Sequence, residues 1–146
     1  MEEAKMIGAR QRRIGKRPIL NQKTQTLVPS EYQECKAFWQ YACLKGFDDD
    51  LIKNANERMG DTHWFIKALY AIGFRKGLLD YHYIVANDKY HGLWLEFKRI
   101  DQRDEKKKPE QDGWIARLLK RGHYATYVYG CDHAIKIYTD YVNNRI

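Results

Sequence analysis

Residues 76–99, KGLLDYHYIVANDKYHGLWLEFKR, hold two runs in which apolar and polar side chains alternate with a period of two. Such alternation marks a strand with unlike faces, and the short polar stretch VANDKY between the runs predicts a β-hairpin. In the first run Leu79, Tyr81 and Tyr83 share one face and Asp80, His82 and Ile84 the other; in the second, Leu93, Leu95 and Phe97 oppose Trp94, Glu96 and Lys98. Two carboxylates and a lysine thus stand where an ordinary core strand has none. Glu96 and Lys98 point the same way.

The flanking sequence supplies helices. Ser30 with Gln33 three residues on predicts a capped start, and Gly46 a stop. Between them Tyr32, Cys35, Phe38, Trp39, Ala42 and Cys43 form one apolar stripe, with Glu31 inside it and Glu34 on its edge. A turn-rich stretch follows, with a short strand at Leu51–Lys53, and the acid run Asp48, Asp49, Asp50 reads as a solvated turn. Residues 62–72 predict a second helix that turns Trp64, Phe65, Ala68, Leu69 and Ile72 to the core and ends at Gly73. After the charged connection RIDQRDEKKK, Pro109 opens a helix with Trp114, Ile115, Leu118 and Leu119 on its apolar face and Gln111 in the middle of that face. HYATYVYG predicts a third strand and CDHAIKIYTDYVNNRI a last helix capped by Asp132. This order describes an α/β fold, a mixed central sheet flanked by helices.

At 146 residues the chain has room for one core. Residues 4–28 hold seven lysines and arginines and no acid, so residues 1–29 read as a basic arm and residues 30–146 as the folded domain. The net charge of +7 favours a polyanionic partner. No apolar run is long enough to span a membrane and the N-terminus lacks a signal-peptide core, so the expectation is a cytosolic protein without a membrane partner. Cys35, Cys43 and Cys131 are odd in number and scattered; they read as reduced, mostly buried thiols. Trp39, Trp64 and Tyr138 read as core or interface, with core the default.

Asp80 and Glu96 near neighbouring strand ends can offer oxygen ligands to a hard divalent cation, and Lys98 can orient water or stabilise charge on a phosphate. That is the chemistry of phosphodiester cleavage. LLDY followed by LEFK resembles the PD-(D/E)xK nucleases, with Leu79 in the place of the usual proline. GFRKGLLDYHYIV, GLWLEFKR and PEQDGWIARLLKRGHYATYVY together resemble the VRR-NUC family within that superfamily, and residues 30–142 can be laid along its pattern.

The resemblance implies a restriction-endonuclease-like core in which Asp80, Glu96 and the first-helix Glu31 hold Mg²⁺, with Mn²⁺ as a substitute. It makes Lys98 the catalytic lysine and places Gln111 facing the site; Glu34 is the alternative to Glu31, and Asn54 or Asn56 matches an asparagine ahead of the second helix. His82 shares a face with Asp80 and reads as a structural histidine. Stand-alone members of the family look like phage or bacterial proteins, which would put this one in the host cytoplasm if phage-encoded. They imply structure-selective cutting of branched DNA, Holliday junctions foremost, by a homodimer that makes two symmetric cuts. Arg99, Arg103, Lys106, Lys107 and Lys108, with Arg12 and Arg13 of the arm, are the residues expected to hold phosphates. Nothing in the sequence reads bases, so recognition by DNA shape and charge is expected. The competing expectation is a catalytically inactive nucleic-acid-binding module with the same fold. An enzyme on another phosphate substrate is disfavoured by the lack of a Gly-rich phosphate loop.

Overall fold

The alternating runs become the middle of a mixed sheet. The computed structural model describes residues 17–54 and 63–146. Its strands are β1 (Ile19–Asn21), β2 (Thr26–Val28), β3 (Leu51–Lys53), β4 (Tyr81–Tyr83), β5 (Leu93–Lys98) and β6 (Tyr124–Tyr129), and its helices α1 (Glu31–Lys45), α2 (His63–Ala71), α3 (Pro109–Lys120) and α4 (Cys131–Val142). The main sheet runs β3-β4-β5-β6. The first two pairings are antiparallel and β5 with β6 is parallel. A parallel neighbour needs a crossover, and α3 provides it.

The pleat divides the molecule into two layers. Tyr81, Tyr83, Leu93, Leu95, Phe97 and Val128 face Phe38 and Ala42 of α1 and Ala134 and Tyr141 of α4 in one aromatic-rich core. Phe38 meets Tyr81 edge to face, their ring centroids 5.7 Å apart. On the opposite face Leu79, Leu118 and Ala125, with Trp94, Trp114 and Ile115 packed against them, form a smaller cluster beneath α3. Leu79 therefore departs from the expected face-sharing with Tyr81 and Tyr83: the chain bends at Asp80, before β4 begins.

Local signals set the α1 boundaries as expected. Ser30 Oγ accepts the Gln33 N–H while Gln33 Oε1 accepts the Ser30 N–H, a complete capping box. Gly46 closes the helix in the left-handed conformation, φ 75°. Four expectations need correction. Asp132 is not the cap of α4: Gly130 holds that position, and the Glu34 carboxylate of α1 accepts the Cys131 N–H at 2.7 Å. The apolar face of α2 is not core, since Trp64 is 71% and Ile72 83% exposed. Residues 19–28 of the expected arm fold into the antiparallel β1-β2 hairpin, its turn held by Asn21 Oδ1 accepting the Lys23 and Thr24 N–H groups. Cys43 is exposed and Cys35 and Cys131 only half-buried. No helix among the described residues is long and apolar enough to cross a membrane.

Candidate active site

The polar face of β5 ends at Glu96 and Lys98, and three other elements bring groups to it. Asp80 stands next to the first residue of β4, and the pairing of Tyr81 with Leu95 sets it opposite Glu96. Its Oδ2 accepts the Phe97 N–H at 2.8 Å and its Oδ1 accepts from Lys53 Nζ at 2.7 Å, which fixes the carboxylate at the sheet end. The bend that frees Asp80 is held by Asn54, whose backbone N–H donates to Asp80 O and whose Nδ2 donates to Leu79 O. Asn56 lies outside the described residues.

Glu96 is only 4% exposed. Its Oε1 accepts from Lys98 Nζ at 2.8 Å and from Gln111 Nε2 at the first turn of α3. Burial pushes this carboxyl up to about 7, and the Asp80 charge pushes the same way against the pull of Lys98. Glu31, at the start of α1, is likewise held above the ordinary range, by burial first and Asp80 second, with Lys98, Lys53 and Lys108 opposing. Of the two first-helix glutamates, Glu31 is therefore the one in the field of the site. Glu34 is the one that caps α4.

These carboxylates lie close to one another at the sheet end, and the donor set fits a hard cation. All candidate ligands are oxygens, which suits Mg²⁺ or Mn²⁺. Gln111 Oε1 is buried with no hydrogen-bond partner among the described residues, an acceptor that a water on such an ion would satisfy. No three His, Cys, Asp or Glu side chains among the described residues form a group that could hold a metal ion by themselves. Lys53 and Lys98 sit on the carboxylates instead. Mg²⁺ needs no cage of protein groups, because one or two carboxylates, retained waters and substrate phosphates complete its shell.

A search of family models finds no match to this chain, and no curated protein matches it. Among solved structures, one titled "VRR_NUC domain protein" superposes with a TM-score of 0.67 at 19% identity, covering 78% of this chain and 88% of that one. The chain has the VRR-NUC fold. That fold places α1, the bend at Asp80, β5 and α3 around one point, and the expected mixed sheet flanked by helices is what the structure contains.

The expected phosphate-binding residues divide. Arg99 is forked onto Asp101, Nε to Oδ1 at 3.0 Å and Nη2 to Oδ2 at 3.2 Å. Lys107 Nζ donates to the carbonyls of Gln102 and Arg103 and lies 4.9 Å from the centre of the Tyr129 ring, over which Arg103 also stacks. Arg99 and Lys107 thus shape the loop after β5. Lys106 and Lys108 are exposed. Arg12 and Arg13 lie outside the described residues. His82 stacks on Trp94, their ring centres 3.9 Å apart.

Sequence reasoning missed two neighbours of the site. Lys53 reaches Asp80 only because β3 pairs with β4, a contact between residues 27 positions apart. Tyr127 reaches Lys98 because β6 joins β5 in parallel; its ring centre is 5.8 Å from Lys98 Nζ and its hydroxyl donates to Asp112. Alternation in HYATYVYG puts Tyr127 on one face or the other, and only the register says which.

Proposed function

We infer that the protein is a divalent-metal-dependent DNA endonuclease that hydrolyses phosphodiester bonds and selects branched DNA, with the Holliday junction as the leading substrate. The observation that carries this reading is the gathering of Asp80, Glu96, Lys98 and Gln111 at one sheet end, with the Glu96 carboxylate buried and held by both Lys98 and Gln111. Bound to Asp80 and Glu96, Mg²⁺ or Mn²⁺ would supply an activated water and neutralise charge on the phosphate.

The chain's own groups prepare the rest. Asp80 keeps one carboxylate oxygen on the Phe97 N–H, so its position follows the backbone of β5 rather than a free rotamer. Gln111 fixes the Glu96 carboxylate from above. Lys98 then serves two states: it holds charge against Glu96 before substrate arrives and stabilises the extra negative charge of the phosphate as the bond to the leaving oxygen breaks. The net charge of +7, with Lys106 and Lys108 exposed in the connection between β5 and α3, draws and orients the backbone. Resolving a four-way junction requires two symmetric cuts, and a homodimer supplies two sites.

The test is cleavage of labelled four-way junction, flap and linear duplex with Mg²⁺ or Mn²⁺, run beside Glu96→Ala. Metal-dependent cutting of the branched substrates, lost in the variant, is the expected result. Tight binding by both proteins with no cutting by either would replace this reading with that of a binding module.

A further inference from the structure

Helix α1 carries two functional rows. One row, Glu34, Phe38 and Ala42, is buried against the sheet. The other begins with Glu31 at the active site and continues four and eight residues on through Cys35 to Trp39, with Tyr32 and Lys36 beside it. This second row is one wall of a cavity of about 550 Å³ whose far wall is β3 and the start of β4, with Lys53 and Asp80 at the end it shares with the site. Trp39 is 39% and Tyr32 38% exposed. Two large aromatics left open on a helix whose neighbouring row is fully packed are not needed for the core.

Resting on the nuclease reading of the preceding section, we propose that this cavity receives an unpaired nucleobase of the strand being cut, stacked on Trp39. Three observations and one property of DNA converge. The cavity opens from the carboxylates that would hold the scissile phosphate, so a strand engaged there must run past it. Eight residues of helix place Trp39 about 12 Å from Glu31, beyond the nucleotide at the reacting phosphate. Lys36 lines the same cavity and suits a flanking phosphate, while Lys53 is held on Asp80. Finally, in a duplex both faces of each base are already stacked, so an aromatic wall can engage only a base that is unpaired or extruded. The substrate class that follows is DNA with an unpaired nucleotide next to the cut: a flap, a splayed arm or an opened junction.

The experiment uses the full chain with Ca²⁺ to hold the DNA uncut, and a flap and a linear duplex carrying 2-aminopurine beside the expected cleavage position. On the flap, 2-aminopurine fluorescence falls on binding as the base stacks on Trp39; on the duplex it does not change. Trp39→Ala binds the flap roughly 10-fold more weakly and the duplex within about 2-fold of wild type, and Trp39→Phe restores flap binding. Unchanged fluorescence on the flap, or equal loss of affinity for both DNAs, overturns the proposal. So does a Trp39→Ala variant that alters sedimentation and not flap binding, which would assign the cavity to a second copy. A parallel cleavage assay in Mg²⁺ separates the two readings. Cutting with no fluorescence change removes the base pocket and leaves the nuclease; a fluorescence change with no cutting keeps the pocket and removes the nuclease.

Discussion

The two faces of β5 are six residues of one chain doing opposite things. Leu93, Leu95 and Phe97 meet α1 and α4 in a dry core, with Phe97 packed against both Phe38 and Tyr81. One residue away in each case, Trp94, Glu96 and Lys98 face α3, and two of the three are ionisable and poorly exposed. The first face is stabilising because its burial removes apolar area from water. The second sacrifices that gain and holds a carboxylate with raised proton affinity. The candidate site lies where the pleat lets it borrow the rigidity of the core without interrupting it.

This contrast can be broken residue by residue. The largest effect is expected from Glu96→Ala, which should lower cleavage by about 1,000-fold or more in single-turnover assays on branched DNA; a variant that still cuts at near the wild-type rate would detach the polar face from the chemistry. On the other face, Phe97→Ala should cost about 3–5 kcal/mol in urea unfolding, because it opens a void among rings that cannot close in on it. Any residual folded fraction should cut normally.

Proton linkage sharpens the same comparison. The Glu96 carboxyl rises from its ordinary value of 4.5 to about 7 in the folded metal-free protein, so the folded state binds a proton more tightly than the unfolded one. Its contribution to stability is full below about pH 4.5 and is lost as the pH rises to about 7. Measured against Glu96→Gln, which removes this titration, the melting temperature of metal-free wild type should therefore fall across that window, and the variant should melt no lower than wild type at pH 8. Added Mg²⁺ should reverse the trend in the wild type, since the cation favours the ionised form.

The smallest expected effects separate two glutamates one turn apart. Glu34→Ala removes the acceptor for the Cys131 N–H and should cost about 1–2 kcal/mol of stability with cleavage by the remaining folded protein intact. Glu31→Ala should do the reverse, lowering cleavage while leaving thermal stability equal to or above wild type, because it removes a carboxylate whose burial disfavours its charge. Equal behaviour of the two variants would erase the distinction between a cap and a site residue.

Much of the molecule was legible in advance where the signal is local. The capping box at Ser30, the stop at Gly46, the hairpin of β4 and β5 and the helix opened by Pro109 all depend on residues a few positions apart. The failures share a different cause. The apolar stripe of α2 states which side that helix would bury, but burial needs a partner surface, and Trp64 and Ile72 remain exposed. Trp39 fails the core default in the same way, and its exposure is what makes the cavity beside Glu31. The β1-β2 hairpin was hidden because Leu20 and Leu27 are exposed and leave no alternation of buried positions to read. Asp132 has the chemistry of a cap, yet a carboxylate from another helix does that work at Gly130, where the Cβ of any other residue would sit 2.5 Å from Ile100.

The sequence by itself determined the order of elements, the alternation that sets Glu96 and Lys98 on one face, and a residue set suited to a hard cation, because spacing along a helix or strand translates directly into direction. Only the tertiary structure decided that Glu31 rather than Glu34 enters the site, that Lys53 sits on Asp80 and that Gln111 reaches Glu96. Those contacts join residues 15 to 97 positions apart, as Gln111 with Glu96 and Cys131 with Glu34. Strand register and helix packing set such distances, and periodicity within a single segment carries no information about them.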